Sequence, residues 1–595
     1  MAEEKSTAEM QPTLGLTGLT MNAMAMIAPG AFLWLTFAIQ GSTGVSAPSM
    51  WAGIFTALLL SLATAVCYAE LSKLYPGTGS SYYFAEQSFL NHDKHWKWAR
   101  VSKFIVGWGS HLYYWVYTGV MVCVTGVFCG YVVGTLWPNF MSASNPGPMF
   151  MMLVAILFSF GVAYIAYRGV VGSTSVNIAI NIIQISALVT FSVMAIGYRT
   201  SHPVGSVAWN FDSSTENAYQ YQFKTAADGS TVRDASGVPM PLLDSAGKPV
   251  PFTIDYPYQD TATPPNFMSH TSAKSVIGIH KMGWTMVQAT VAIFLLVGFE
   301  SCTSLGGEAK NAKRDIPIAV ILSLLIQGAF CYLFEYFSAN YFLNSGYPMG
   351  SATASSAPVG DMMVVVGNSL FGAGRGRIFM LVEAFTVFLA LIGTTLSCIN
   401  TGARVTYAMG KDNEVPEHFG MLHGENLTPH RAIWTLATIS AVIGVIACTN
   451  VFGDASALAD SVVQALPHGF WSSFGYLSHD RMAALPNSLL TITLASNFGT
   501  FLLYGLSCFT CIIAYAGHPN YSFLRHTFIP IFGLLANLAC MAAYLFLPFA
   551  GYGTKMEPFT ALGIAAVWAI YGSIYFVRSS KATGRTTFVK SKATT

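Results

Sequence analysis

Charge is what this 595-residue sequence lacks: Asp, Glu, Lys and Arg together make up 9% of it, against roughly 25% in a soluble domain. So few charges cannot cover a water-facing surface of this size, and 53% of the residues are hydrophobic. Lipid therefore replaces water as the main solvent. The formal net charge is only +2, and no basic stripe is present, which excludes a nucleic-acid partner. All ten cysteines fall inside apolar runs, so no disulfide framework is expected. Cys508 and Cys511 form a CxxC, but no second pair completes a zinc site, and they read as packing residues. A cleavable leader is missing too: residues 1–18 are polar and the first apolar run is long enough to span a bilayer, so it is expected to act as its own insertion signal. No Walker loop, nucleophile–base pair, metal-ligand spacing or cofactor motif occurs, which argues against an ATP-driven pump, an enzyme or a bound cofactor.

What is there is a series of long apolar runs. A bilayer core of about 30 Å needs roughly 20 apolar residues in a helix. Twelve such runs lie near 19–40, 50–74, 103–137, 149–167, 171–197, 283–305, 316–344, 375–409, 431–449, 488–515, 525–547 and 557–577. Only a helix satisfies its backbone groups within one segment in lipid, so the fold class is an all-α integral membrane protein of twelve transmembrane helices. Lys73, Lys94, Lys97, Arg100, Arg168, Lys310, Lys313, Arg314, Lys411, Arg525 and the basic tail after 577 collect on one side, whereas loops 41–49 and 138–148 carry no Lys or Arg. Both termini are thus expected to be cytoplasmic, with the protein in the plasma or inner membrane. The third and eighth runs are unusually long and sit five apart, which suggests that spans 1–5 (19–197) and spans 6–10 (276–515) are related halves. Spans 11 and 12 (516–577) are then additions, flanked by an N-terminal tail (1–18) and the basic tail (578–595).

Two polar segments interrupt the pattern. In 198–275, VRDASGVPMP (232–241) is followed directly by LLDSAGKPVP (242–251), a ten-residue near-repeat with Asp, Gly and two Pro in register. Alternating apolar residues broken by Asp-x-x-Gly turns predict a small β-rich extracellular hairpin element. The shorter segment, 450–487, is also placed outside and carries His468, His479 and Arg481.

Two runs contain matched interruptions. The first reads MNAMAMIAPGAFLWLTF, with Pro29 and Gly30 mid-run; the sixth reads TVAIFLLVGFESCTSLGG, with Gly298 mid-run and Glu300 two residues later. Proline cannot donate its backbone hydrogen bond and glycine relaxes the backbone. Breaks in corresponding places of two halves are the best sequence pointer to a transporter site. An unwound turn offers N–H groups to a carboxylate and carbonyls to an ammonium group or a cation.

Three stretches then resemble the amino acid–polyamine–organocation permeases. CYAELSKLYPGTGSSYYFAEQSF (67–89) is like that family's Tyr-Ala-Glu-Leu and Gly-Ser-Tyr pattern. GFESCTSLGGEAKNAKRDIPIAV (298–320) is close to its Gly-Phe-Glu and Arg-Asp-Ile-Pro pattern, and TGARVTYAMGKDNEVPEHFG (401–420) to its Arg-x-x-Tyr-Ala-Met signature. The resemblance runs from about 15 to 575. It implies a leucine-transporter-like five-plus-five inverted repeat plus two helices, with alternating access around a midplane site. It also implies a small-molecule substrate, an amino acid or a related amine. Substrate contacts are implied at Ala28, Pro29, Gly30, Ala31 and Gly298, with Phe294 as an aromatic gate and Tyr113 and Tyr114 as further lining. At the first break a Gly-Ser-Gly or Gly-Thr-Gly is usual, but here Ala28-Pro29-Gly30 stands, which keeps a polyamine or other amine alive as substrate. Where proton-coupled members often carry a lysine in the fifth span, Gln184 stands, and glutamine cannot titrate.

Ionisable groups in hydrocarbon are costly, roughly 2.5–3.5 kcal/mol each or more. Glu300 beside the break is the leading coupling candidate, as proton carrier or as organiser of the unwound turn. Glu70 reads as a gating or anchoring residue. His111, Glu335 and Glu383 read as interhelix hydrogen-bonding groups. Thr394 and Thr395 place hydroxyls where sodium-coupled relatives of this fold hold an ion, although such hydroxyls also serve helix packing. The partners expected are a small solute, a proton or sodium ion, and the bilayer. A transport-inactive sensor and a membrane enzyme are the competing classes.

Overall fold

The computed structural model describes residues 12–42, 49–137, 139–141, 146–203, 206–212, 217–253, 257–259, 267–269, 273–279, 281–342, 355–372, 374–449, 451–452, 485–552 and 555–589. Among these, eleven helices are long and apolar enough to cross a membrane. The first apolar run is not one of them, because it is two shorter helices, α1 (Leu16–Ile27) and α2 (Pro29–Ser42). The chain continues through α3 (Met50–Leu74), a short α4 (Ser81–Leu90), α5 (Ala99–Leu136), α6 (Pro148–Tyr167) and α7 (Val170–Ser201). After the five-residue α8 (Ala273–Ile277) come α9 (Met282–Leu296), α10 (Ala312–Leu324) and α11 (Leu333–Phe342). A π-helical stretch, Leu325–Tyr332, joins the last two into one apolar unit. Then follow α12 (Pro358–Phe371), α13 (Gly376–Lys411), α14 (His430–Ala447), α15 (Asn487–Tyr515), α16 (Ile529–Phe546) and α17 (Met556–Ala582). The two long runs are thus single helices of 38 and 36 residues, about 55 Å each at 1.5 Å per residue. Sequence periodicity missed α4 and α12, whose apolar stretches are too short to span.

One large core joins α1, α3, α5, α9, α10 and α13, while the apolar stretches ending in α16 and α17 are only 28% and 17% buried. Helices that are apolar on their outward faces belong against lipid. The broken first run lies inside, packed by α7, α10 and α13.

The expected β-rich hairpin element does not form. Among the described residues of the insertion after α7, strands are confined to two antiparallel pairs of three residues each, β1 (Asn210–Asp212) with β2 (Asn217–Tyr219) and β3 (Pro257–Gln259) with β4 (Phe267–Ser269). The repeat itself makes only isolated bridges. Each prolyl residue removes a ladder donor, so continuous strands cannot propagate. Three tight turns form instead, at Asp228-Gly229, Asp234–Gly237 and Asp244–Gly247, with all three glycines at φ near +80°. Asp234 and Asp244 each accept two backbone N–H groups through Oδ1. The turns are tied in a ring: Lys224 N–H donates to Met240 O, Met240 N–H to Val232 O, and Val232 N–H to Lys224 O, each at 2.8 Å. The segment 450–487 lies largely outside the described residues, including His468, His479 and Arg481.

Candidate functional site

The break in the first run centres on Ala28, whose φ of 19° and ψ of 73° are not helical. Pro29 opens α2, in the first turn, where a missing N–H removes no intrahelical bond. Ala28, Gly30 and Ala31 are all buried. Carbonyls in the last turn of α1 take donors from other helices, and Met24 O also accepts from Ala28 N–H at 3.2 Å. Gln327 Nε2 donates to Met24 O at 3.2 Å, Thr394 Oγ1 to Ala25 O at 3.1 Å, and Tyr332 Oη to Ile27 O at 2.8 Å. Asn181 Nδ2 donates to Met21 O at 2.9 Å. Gln327 and Tyr332 both sit in the π-helical stretch, whose widened turn carries two donors onto one helix end.

The second break follows α9. Val297 is extended, Gly298 has φ 117°, and Phe299–Leu305 continues as a 3₁₀ helix. The two breaks touch. A Cβ built on Gly298 would stand 2.7 Å from Met26 Cβ and Cγ and 3.0 Å from its carbonyl carbon, so only glycine lets the two backbones approach this closely.

Glu300 is fully buried at the contact. Its Oε2 accepts from Tyr504 Oη at 2.7 Å and from Gly298 N–H at 3.1 Å, and its Oε1 accepts from Tyr114 Oη at 3.2 Å. The carboxyl thus organises the unwound turn and fastens it to α5 and α15. Aromatic rings wall the cluster. Tyr113 packs on Tyr114 with centroids 4.4 Å apart, and Phe294 packs on Tyr117 at 4.7 Å. Phe299 meets Tyr504 at 5.3 Å and Tyr68 at 6.0 Å. Tyr113 Oη is buried and has no hydrogen-bond partner among the described residues.

Of the residues singled out in the sequence, the structure gathers Gly298, Glu300, Tyr113, Tyr114 and Phe294 near one another, with Ala28 and Thr394 at the facing break. Thr395 Oγ1 is buried and has no hydrogen-bond partner among the described residues. Glu70 is elsewhere: at the end of α3 it accepts from Lys73 Nζ at 2.7 Å and Tyr515 Oη at 3.2 Å, with His526 Nε2 at 3.3 Å. Gln184 faces Gly30 rather than Glu300. Sequence reasoning missed Tyr504, Tyr117, Gln327 and Tyr332, which carry no signal that separates them from ordinary residues of apolar runs.

One end of the bundle is closed by ion pairs. Arg404 holds Glu308 in a bidentate pair, Nη2 to Oε1 at 2.8 Å and Nε to Oε2 at 3.0 Å, with both side chains buried. Glu308 O also accepts from Leu14 N–H at 2.8 Å, and Lys310 N–H donates back to Leu14 O at 2.8 Å, which zips the chain before α1 to the chain after the second break. Arg100 pairs with Glu414, Lys103 bridges Glu86 and Asp412, and Arg585 of the tail reaches Glu414 at 3.2 Å. Removing one partner of a buried pair such as Arg404–Glu308 is costly, because it strands a buried charge.

Comparison with known proteins covers nearly the whole chain. The model of a family described as "Amino acid permease" matches residues 13–574. A low-affinity putrescine importer of Escherichia coli is 23% identical over 446 residues, 73% of this chain and 75% of the importer. A branched-chain amino acid permease of Bacillus subtilis is 23% identical over 442 residues, 72% of this chain and 74% of the permease. The branched-chain amino acid permease of Lactococcus lactis is 29% identical, but over only 27% of this chain and 32% of that protein.

Proposed function

Because this chain belongs to the amino acid permease family, a family of transporters rather than enzymes, we propose that it is a secondary active amino acid permease working by alternating access. The substrate binds at the breaks α1–α2 and α9–Gly298. The observation that carries this reading is the contact between them: the unwound turn at Gly298 meets the last turn of α1 at Met26 beside a buried carboxyl. The first turn of α2 directs its backbone N–H groups and positive end at the gap, suited to a substrate carboxylate. The aromatic wall of Tyr113, Tyr114 and Phe294 takes the side chain, with Phe294 as the gate. Glu300 couples substrate occupancy to the position of the unwound turn, since it bonds that turn and α5 and α15 at once.

In this reading the broken run completes a set of twelve spans. Spans 1–5 and 6–10 are inverted halves that rock about the breaks, and the two helices that follow face lipid. Basic loops and both termini are cytoplasmic, so the Arg404–Glu308 closure is the inner gate, in the plasma or inner membrane. The insertion 198–275 and the segment 450–487 are extracellular. Transport is by symport with a proton or sodium ion, or by exchange.

A second reading, a polyamine or other amine transporter, is favoured by Pro29. It removes one N–H from the carboxylate grip, and a diamine has no carboxylate to lose. The match to a putrescine importer over three quarters of its length points the same way. Uptake of radiolabelled amino acids into proteoliposomes, with diamines as competitors and with and without sodium and pH gradients, tests both. Amino acid flux insensitive to diamines supports the first reading, and diamine flux alone replaces it with the second. Binding without flux of either class leaves a sensor.

A further inference from the structure

Gly30 also borders a second cavity, formed where α2 meets α7, α11, α12 and α13. Its polar lining is Gln184 from α7, Glu335 from α11, and Glu383 and Thr386 from α13; the rest of the wall is apolar, and no Lys, Arg or His is among the described lining residues. The space admits about one water-sized group. Glu335 is 1% exposed and Gln184 is 1% exposed, and among the described residues neither carboxyl oxygen of Glu335 and neither amide atom of Gln184 has a hydrogen-bond partner. The Gln184 side chain lies against Gly30, with Cγ 3.5 Å from where a Cβ would be.

Two buried carboxyl groups around one small cavity repel if both ionise, and each must be neutralised or share a counter-charge. Neutral carboxyls would close on the nearest acceptor, because a protonated carboxyl carries an O–H that seeks one. Glu335 makes no such bond to Glu383 or Gln184. These groups surround a small space instead of filling it, as ligands surround an ion. We propose that Glu335, Glu383 and the Gln184 carboxamide form a binding site for one small monovalent cation, of the size of sodium, potassium or ammonium. Carboxylate and carbonyl oxygens are the donors such hard cations take. The site is separate from Thr394, whose hydroxyl is bonded to Ala25 O. Its wall includes the first turn of α2, so the bound cation steadies the segment just past the break. The inference stands whether the transported solute is an amino acid or an amine.

The test is thermal unfolding of the full-length purified chain, without substrate, in NaCl, KCl or ammonium chloride against choline chloride at equal ionic strength. Choline is too bulky for the space. A ligand that binds only the folded state raises Tm, so at least one small cation is expected to raise it by about 2 °C or more over choline. Glu335→Gln and Glu383→Gln should each abolish that difference while keeping the Tm seen in choline. Gln184→Lys, which tethers an ammonium beside the carboxyls, should raise Tm in choline and remove the response to salt. Should the glutamine variants fail to fold, equilibrium dialysis of radioactive sodium against wild type decides instead, with one site per chain displaced by ammonium as the expected result. Equal Tm in all four salts, or a cation response retained in both glutamine variants, overturns the site. Neither readout requires flux, so loss of the transport reading leaves this result intact.

Discussion

Gly298 and Met26 are in contact across the two helix breaks, and the contact has no room for a β-carbon. Gly298→Ala must move the Met26 backbone and also hold φ near +117°. Left-handed strain and overpacking together cost about 2–4 kcal/mol. A lowered Tm with lost uptake is expected. An alanine variant with wild-type Tm and flux would show that the breaks separate freely.

Tyr504 anchors Glu300 from α15 at 2.7 Å. Tyr504→Phe keeps the ring packing against Phe299 and Tyr68 but removes the donor, at about 1–3 kcal/mol for a buried carboxyl acceptor. Uptake should fall while membrane protein level stays near wild type. Glu300→Gln should abolish transport or uncouple it from its driving gradient, measured as flux with and without that gradient. Unchanged behaviour of both variants would reduce the cluster to packing.

Arg404 and Glu308 answer to a double-mutant cycle. Removal of either partner alone strands a buried charge, at about 3–5 kcal/mol, whereas an apolar pair of similar volume restores much of the stability. Arg404→Met with Glu308→Leu should therefore melt well above either single change, yet transport poorly. Additive losses in Tm would mean that the pair does not act as a unit.

Phe294 packs on Tyr117 in the aromatic wall. Phe294→Ala should impair uptake more than it lowers the amount of protein in the membrane, quantified on the same vesicles. Normal flux would remove Phe294 as the gate.

Much of the architecture was legible before any coordinates. In lipid the backbone must pair within a helix, so run length alone located the long helices to within a few residues. Pro29, Gly30 and Gly298 marked the breaks because proline and glycine alter the backbone wherever they sit. The partners of the breaks were not legible. Tyr504, Gln327 and Tyr332 look like any residue of an apolar run, and only tertiary packing brings their donors to Glu300 or to the freed carbonyls. The insertion misled for a related reason: alternation predicted strands, but Pro239, Pro241, Pro249 and Pro251 interrupt every ladder the alternation would make. Gln184 stands in the sequence at the place of a lysine with nothing to mark its company, because its neighbours Glu335 and Glu383 come from runs over 150 residues away.

The freed carbonyls of α1 carry a consequence for biogenesis. Their donors arrive late: Tyr332 follows Ile27 by 305 residues and Thr394 follows Ala25 by 369. At a synthesis rate of about 5–20 residues per second, the last donor emerges on the order of 20–70 s after the carbonyl it will serve. Throughout that interval the end of α1 has none of these partners. The unwound turn is completed by assembly, and a chain truncated before α13 cannot finish it.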